Sequence, residues 1–315
     1  MKFGLLNYSE SYNVGDQVQS LAAKQFLPRV DYYIDRDNLQ DAAKIGEEVK
    51  LIMNGWFMSK PENWPPPDNI KPLFISFHIT TRNKSVDFLT SPESITYLKK
   101  HEPIGCRDYY TRDLLIEKGV DAYFSGCLTL TLGETYKRAD HPSDDVYLVD
   151  VLYRLRSYGP LRRFNPLNKR RELGTIQRIV PPNLYEDSKY VIQDQKLLNE
   201  EEKFKMADEL LKAYARAKMV VTSRIHCALP SIGIGTPVVF IEGGLKASYD
   251  ANRLNGISNF FNHYYFDYSN LKSPLSSVNY ENALAIPWQN LPANPSESEE
   301  IIEKLKAKVK AFIET

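Results

Sequence analysis

The stretch Met219-Val-Val-Thr-Ser-Arg-Ile-His-Cys227, with its continuation to residue 241, decides the fold class. Met219–Thr222 is a short apolar run typical of a buried strand, Ile225–Ile234 predicts a helix, and residues 237–241 predict a second strand. Two strands joined by a helix form the unit of a parallel sheet, because parallel neighbours need a crossover connection. The stretch therefore predicts an α/β fold whose ligands bind at the carboxyl ends of its strands.

The same alternation of strands and helices continues on both sides of this stretch. Lys2–Asn7 predicts a buried strand, residues 13–16 a turn that contains glycine, and residues 17–26 a helix that ends at Pro28. Further strands are predicted at residues 49–53, 73–77, 121–124, 145–152 and 189–192, and further helices at residues 94–100, 108–118, 200–217 and 298–313. Residues 61–72 carry five prolines, which predicts an irregular loop.

The chain length predicts two domains, because 315 residues are many for one hydrophobic core. Apolar periodicity is lost over residues 132–144, and we expect the boundary there. The prediction is an N-terminal Rossmann-like domain over residues 1–138 and a C-terminal Rossmann-like domain over residues 139–297. The last helix, over residues 298–315, is expected to pack back toward the N-terminal domain.

Composition excludes several classes of function. Forty Lys and Arg residues balance forty Asp and Glu residues, so no overall field attracts nucleic acid or an anionic membrane. The three cysteines lack metal-ligand spacing and fit a reducing compartment. No run approaches the ~20 apolar residues of a membrane span. We expect a cytoplasmic protein without a metal, a cofactor, a nucleic-acid partner or an integral membrane segment.

The first candidate site is the turn Asn13-Val-Gly15-Asp16 at the start of the predicted helix. Free N–H groups at a helix N-terminus attract phosphate, and glycine lets a ligand approach the backbone closely. Asp16 is expected either to cap the helix or to orient a hydroxyl group. The alternative is an ordinary strand–helix turn with an aspartate cap.

The second candidate site is Arg107, which lies between a predicted strand and a predicted helix. A guanidinium group grips a carboxylate or phosphate through two hydrogen bonds. The alternative is a surface salt bridge. His78 follows the strand predicted at residues 73–77, and the sequence gives it no charged neighbour.

The third candidate site is Ser223-Arg224-Ile225-His226, delivered by a buried strand to the start of a helix. Imidazole titrates near neutral pH and can act as an acid or a base, while Arg224 and the helix amides can hold a phosphate. An interdomain hydrogen-bond cluster is the alternative. Glu242, at the end of the next strand, can hold sugar hydroxyls or cap the following helix.

Taken together, these segments resemble the polysaccharide pyruvyl transferase family. The matching pieces are Asn13-x-Gly-Asp16 with Gln19-Ser20, Gly105-Cys-Arg107-Asp108-x-x-Thr111 with Gly119, Ser125-Gly-Cys127-Leu-Thr129, and Thr222-Ser-Arg-Ile-His-Cys227 running to Gly235-Thr-Pro237. The sequence departs from the family at Asn54-Gly55-Trp56, where many members are rich in glycine, and in the basic segment over residues 154–171.

The resemblance implies a GT-B-like fold in which two Rossmann-like domains face a cleft, and a transfer of pyruvate from phosphoenolpyruvate to a sugar during cell-surface polysaccharide synthesis. It implies that Arg107 and the Ile225-His226 pair face the donor. It leaves open whether the acceptor saccharide is lipid-linked. We expect catalysis by His226 and Asp16, donor contacts from Arg107, Arg224, Ser223, Ile225, Asn13 and Gly15, and acceptor contacts from His78 and Glu242.

Two other functions remain open at the level of sequence. The same fold hosts glycosyltransferases with a nucleotide-sugar donor, which need a flat slot for the base, and fold alone does not decide function. A non-catalytic sugar- or phosphate-binding protein would not need a titrating histidine beside two arginines. The basic segment over residues 154–171 is either a solvated loop or a lid over the acceptor.

Overall fold

The computed structural model describes residues 1–82, 84–157, 166–243, 252–266 and 286–315, and no side chains over residues 156–171. The middle of the basic segment, residues 158–165, lies outside the described residues. The stretch after Glu242, where that residue was expected to cap a helix, also lies outside them.

The first half of the chain forms a six-stranded parallel sheet in the order β2-β1-β3-β4-β5-β6. Its strands are β1 (Lys2–Asn7), β2 (Tyr32–Asp35), β3 (Val49–Phe57), β4 (Ile70–Ile79), β5 (Ile104–Cys106) and β6 (Ala122–Phe124). Its helices are α1 (Val14–Lys24), α2 (Ser85–Leu89), α3 (Pro92–Lys99) and α4 (Tyr109–Glu117).

The second half forms a five-stranded parallel sheet in the order β11-β10-β9-β7-β8. Its strands are β7 (Val146–Val149), β8 (Lys189–Val191), β9 (Met219–Thr222), β10 (Val238–Gly243) and β11 (Asn262–Phe266). The accompanying helices are α5 (Pro166–Ile179), α6 (Pro182–Tyr185), α7 (Glu200–Arg216), α8 (Ile225–Ile234) and the last helix α9 (Glu299–Glu314). The α/β class and the separation into two parallel sheets agree with the sequence prediction.

Both sheets share a strand order that the sequence did not reveal. Counted from the first strand of each half, the order begins 2-1-3-4-5. This is the flavodoxin-like order, which differs from the 3-2-1-4-5-6 order of a Rossmann sheet. The order reverses between β1 and β3 in one sheet and between β7 and β9 in the other, and ligands of open α/β sheets bind at such points.

Two strands of the first sheet are longer than predicted. β3 includes Asn54-Gly55-Trp56, and β4 begins at Ile70 and includes both Pro72 and His78. The register of β3 shifts between Met53 and Gly55. Gly55 has φ +136°, and a Cβ there would lie 2.7 Å from the Tyr8 hydroxyl, so only glycine fits this irregular turn of the strand.

In the central βαβ stretch, β9 at Met219–Thr222 and α8 at Ile225–Ile234 have the predicted bounds, whereas β10 at Val238–Gly243 begins one residue later and ends two residues later than predicted. The strands β2 and β11 and the helix α5 were not predicted. The side chains of β2 and β11 are partly exposed, and the α5 sequence is rich in polar residues, so none of the three has a continuous apolar run.

The two sheets meet through packed helices. α1 contacts α7 and α8, and one apolar cluster joins Val14 and Val18 of α1 to Leu211 and Cys227 of the second half. The 3-10 helix Leu128–Glu134 also packs on α8. At this contact the backbones touch, since a Cβ on Gly133 would lie 2.0 Å from the carbonyl oxygen of Gly233.

The last helix, α9, contacts elements of the first half. Leu305 and Val309 lie in the same apolar cluster as Leu5 and Ile75. Lys50 on β3 donates a hydrogen bond from Nζ to the Phe312 carbonyl oxygen at 2.7 Å. Among the described residues, no helix combines the length and the apolar character needed to cross a membrane.

Candidate functional site

Arg107 is buried at the carboxyl end of β5, beside the start of α4. Its N–H donates to the Phe77 carbonyl oxygen at 2.9 Å, which continues the β4–β5 pairing. The side chain has 0% exposure, so the surface salt bridge considered from sequence is wrong. Within the described residues, none of its three guanidinium nitrogens has a hydrogen-bond partner. A buried cation with open donors indicates a site for an anion.

The carboxylate of Asp108 joins Arg107 to His78. Asp108 Oδ2 lies 3.4 Å from Arg107 Nε and 2.6 Å from His78 Nδ1. Asp108 is also the N-cap of α4 and accepts hydrogen bonds at 2.9 Å from both the N–H and the hydroxyl of Thr111. Burial raises the pKa of Asp108, but His78, Arg107 and Thr111 outweigh it, so the carboxyl pKa is lower than usual.

His78 has the charged neighbours that its sequence context did not reveal. It lies within β4 and is 2% exposed. Burial is the main cause that lowers its pKa to about 4, and the charge of Arg107 acts in the same direction against the opposing effect of Asp108. The imidazole is therefore neutral at pH 7.

His226 is the second residue of α8, and its backbone leaves the helical region with φ −83° and ψ 22°. The side chain is 4% exposed, and its Nε2 has no hydrogen-bond partner in the described part of the chain. Burial lowers its pKa well below the ordinary value, and the charges of Arg107, Arg253 and Arg224 add to the effect. Arg107 is a larger cause of this lowered pKa than the adjacent Arg224.

Arg224 is already engaged by two carboxylates. Its Nε donates to Asp150 Oδ2 at 2.8 Å, and its Nη2 lies 3.3 Å from Asp194 Oδ2. The guanidinium carbon also lies 3.8 Å from the ring centroid of Tyr153. Asp150 is fully buried, whereas the Asp194 side chain is 52% exposed. The inner ion pair is therefore structural, and the outer pair is open to exchange with an anion.

The side chains beside Arg224 serve the fold. The Ser223 hydroxyl donates to the Ile241 carbonyl oxygen and accepts from the Leu152 N–H, which ties β9 to β10 and to the turn after β7. Ile225 is 7% exposed and belongs to an apolar cluster. The donor contacts of Ser223 and Ile225 stay predictions, and they would have to come from backbone groups.

The turn at the start of α1 lies against α8. Asn13 is the N-cap and accepts from the Gly15 N–H at 3.1 Å, so the cap expected from Asp16 is wrong. A Cβ on Gly15 would lie 3.1 Å from the Cβ of His226, which shows how closely α1 approaches the histidine. Asp16 is 2% exposed and accepts from the Ser11 hydroxyl, from Gln19 Nε2 at 3.1 Å and from Trp56 Nε1 at 3.3 Å.

Glu242 stands apart from this group at the end of β10. Its Oε2 lies 2.8 Å from Nε2 of His263 on the neighbouring strand β11. Both side chains are partly exposed. The carboxylate is paired but accessible, and its predicted contact with the acceptor stays a prediction.

The structure brings together residues from three separate motifs, since Gly15 packs on His226, and the charge of Arg107 acts on both His78 and His226. Sequence reasoning missed Asp150 and Arg253. Asp150 directly follows the buried strand β7, but the strand predicted over residues 145–152 enclosed it and hid this signal. Arg253 carries no such signal, because no predicted strand ends directly before it. Among the described residues, no group of three His, Cys, Asp or Glu side chains is placed to hold a metal ion.

The chain is similar to a known protein family and to several solved structures. The family model described as "Polysaccharide pyruvyl transferase" matches residues 13–243. No curated protein matches the chain. A functionally uncharacterised protein of Klebsiella pneumoniae subsp. pneumoniae NTUH-K2044 is similar in structure, with 12% identity, a TM-score of 0.44, and coverage of 80% of this chain and 87% of that one. The wall teichoic acid polymerase TagF shows 10% identity and a TM-score of 0.42, over 99% of this chain and 83% of TagF.

Proposed function

Because the chain belongs to the polysaccharide pyruvyl transferase family, we propose that it transfers pyruvate from phosphoenolpyruvate to a pair of hydroxyl groups on a saccharide, forming a ketal in cell-surface polysaccharide synthesis. The observation that carries the proposal is the buried guanidinium of Arg107, whose nitrogens lack hydrogen-bond partners within the described residues, beside a buried neutral histidine. A small acid with two anionic groups supplies the acceptors that this cation lacks.

Donor binding follows from the two arginines. Arg107 would donate two parallel hydrogen bonds to the carboxylate or phosphate of the donor. Arg224 would bind the other anionic group of the donor through Nη2. It would release the half-exposed carboxylate of Asp194 and keep its ion pair with Asp150. Releasing Asp194 costs little, because its carboxylate is 52% exposed and returns to solvent while the donor's anionic group takes its place on the guanidinium. The donor contacts predicted for Asn13 and Gly15 would have to replace existing bonds, because the Gly15 N–H donates to Asn13 Oδ1 and the Asn13 N–H donates to the Ser11 hydroxyl.

His226 would transfer the proton. The bound donor's negative charge raises the imidazole pKa, so His226 takes up a proton as the donor arrives. It gives this proton to the methylene carbon of the donor, which makes the central carbon electrophilic. A sugar hydroxyl attacks that carbon and returns its proton to His226. A second hydroxyl then closes the ketal as the carbon–oxygen bond to phosphate breaks, and its proton leaves with the phosphate.

Asp16, the other predicted catalytic residue, stays a prediction. Its carboxylate accepts hydrogen bonds from Ser11, Gln19 and Trp56. A proton-transfer role would require a substrate hydroxyl to replace one of these donors. His78, with its neutral imidazole next to Arg107, is proposed to contact the acceptor.

We further propose that the two sheets belong to two domains of a GT-B-like enzyme. The domains would comprise residues 1–138 and 139–297, facing across the site, with residues 298–315 returning to the first domain. The contacts of α9 with β3 and with the core around Leu5 support the last point. The enzyme would work in the cytoplasm, where phosphoenolpyruvate is made.

Donor binding tests the proposal against its rival. Isothermal calorimetry with phosphoenolpyruvate, UDP, CMP and GDP should show binding of phosphoenolpyruvate alone. A nucleotide that binds while phosphoenolpyruvate does not would favour a nucleotide-sugar glycosyltransferase instead.

The role of His226 is tested by His226→Asn, which keeps similar size but cannot transfer protons. We expect a loss of about 10²–10⁴ in kcat, the usual effect of removing a general acid–base group, with near-normal donor affinity. A variant with the wild-type rate would contradict the role.

A further inference from the structure

Trp56 lies at the carboxyl end of β3, beside the residues of the donor site. It pairs in register with His78 on β4. The residues before His78 and Arg107, which are Phe77 and Cys106, pair between β4 and β5, so the same register brings His78 beside Arg107. Parallel strands lie about 4.8 Å apart, so the backbone of Trp56 is about 10 Å from that of Arg107. The strand order of this sheet reverses between β1 and β3, where ligands of α/β sheets bind.

The indole of Trp56 is fixed on one face and at its edge. The guanidinium of Arg36 lies 3.9 Å from the ring centroid and is 1% exposed, held in turn by an ion pair with Asp37. Nε1 of Trp56 donates to Asp16 Oδ1 at 3.3 Å. These contacts hold the ring in one orientation before any ligand arrives, which lowers the entropy cost of binding.

Trp56 keeps an exposed fraction beside these contacts. Trp56 is half-buried, and since Arg36 is buried, the exposed area does not come from the face that Arg36 covers. The adjacent residue Phe57 packs in the core against Trp64 and Phe77, so the aromatic core of this sheet is built beside Trp56. A rigid, partly exposed indole at a ligand-binding edge is a recognition surface.

We propose that Trp56 is the platform on which the pyranose ring of the acceptor stacks. The inference rests on the proposed function and assigns its acceptor site. The C–H face of a pyranose is apolar and meets the electron-rich face of the indole, while its hydroxyls point outward at the rim. A ring seated on Trp56 would present its hydroxyls toward His78 and, beyond it, toward a donor held by Arg107.

Binding without catalysis tests the platform first. The protein has three tryptophans, and their indole N–H signals in ¹H–¹⁵N NMR spectra can be assigned by Trp56→Phe and Trp288→Phe. We expect methyl β-glycosides of glucose, galactose and mannose to shift the Trp56 signal and to leave that of Trp288, a half-buried tryptophan of the second half, unchanged. A silent Trp56 signal with every glycoside overturns the proposal, as does a shift caused by UDP or CMP alone.

Kinetics then separate acceptor from donor. Trp56→Ala should raise the KM for the glycoside about tenfold, the effect of losing roughly one stacking contact, with an unchanged KM for phosphoenolpyruvate. Trp56→Phe should give a smaller rise, because an aromatic face remains. Trp288→Phe is the matched control and should leave both KM values unchanged. Equal glycoside KM values in wild type and Trp56→Ala would overturn the platform.

The two proposals fail in different ways. If the proposed function is wrong, wild-type protein neither binds nor consumes phosphoenolpyruvate, whatever the Trp56 signal does. If only the platform is wrong, wild-type protein consumes phosphoenolpyruvate while the Trp56 signal stays silent. If Trp56→Ala unfolds because Arg36 loses its stacking partner, the wild-type NMR titration and the kinetics of Trp56→Phe still test the platform.

Discussion

Replacing Arg107 by methionine should weaken donor binding strongly without destabilising the ligand-free protein. The Arg107 side chain is fully buried, its nitrogens lack hydrogen-bond partners among the described residues, and its nearest acid is 3.4 Å away. A buried donor without a partner costs about 1–3 kcal/mol, and exchanging buried charge for apolar atoms is often neutral or stabilising by about 1–4 kcal/mol. Asp108 keeps its contacts with His78 and Thr111.

The affinity for the donor, unlike the stability of the ligand-free protein, should fall strongly in Arg107→Met. Each charge-assisted hydrogen bond contributes about 1.5–3 kcal/mol, so two bonds at the lower figure contribute about 3 kcal/mol. Because every 1.4 kcal/mol is tenfold in affinity, Arg107→Met should weaken phosphoenolpyruvate binding about 100-fold.

Arg224→Met is the matched contrast. It removes the partner 2.8 Å from a fully buried Asp150, and breaking a buried pair costs about 3–5 kcal/mol. Thermal unfolding with and without phosphoenolpyruvate, together with calorimetry, separates the two variants. We expect Arg107→Met to melt at or above the wild-type temperature without a donor-induced shift, and Arg224→Met to melt lower. An Arg107→Met protein that melts several degrees lower yet binds the donor normally would refute the reasoning.

Two further predictions concern stability. Gly133→Ala should destabilise the protein by about 3 kcal/mol or more, because its Cβ would lie 2.0 Å from the Gly233 carbonyl oxygen. The control Gly174→Ala, in helix α5 with nothing within 4 Å of the added Cβ, should raise the stability by about 0.5–1 kcal/mol in thermal unfolding. Burial lowers the pKa of His226 well below its usual value and that of His78 to about 4, so below about pH 6.5 only the unfolded chain takes up these protons. The free energy of unfolding in urea should therefore fall as the pH is lowered below about 6.5, by up to about 1.4 kcal/mol per pH unit for each histidine. His226→Asn should reduce this slope, and an unchanged slope would contradict a buried neutral His226.

Apolar patterning predicted much of the fold. The runs in β1, β7 and β9 are buried, and their strands lie where the sequence placed them or close by. The strand order could not be predicted from the sequence, because it depends on which strands pair with each other in the folded sheet. β2 and β11 escaped prediction because their side chains are mostly half-exposed and polar or aromatic.

The candidate site was predictable where a polar residue follows a buried strand. Arg107 and His226 were found by that rule, and Asp150 obeys it as well. The partnerships were not predictable, since His78 and Asp108 are thirty positions apart and meet only across β4 and α4. Trp56 was noticed as a departure from the family pattern, but its packing against Arg36 required the structure.

The measurement that tests the central claim most directly is the fate of the donor's central carbon. Phosphoenolpyruvate labelled with ¹³C at C2 is incubated with the enzyme and the methyl glycosides, and ¹³C and ³¹P NMR follow carbon and phosphate together. The account predicts that the enol carbon becomes a ketal carbon bonded to two sugar oxygens, with one inorganic phosphate released for each ketal. Unchanged phosphoenolpyruvate in a reaction that consumes UDP-glucose instead, or phosphate released with free pyruvate as the sole carbon product, would contradict it.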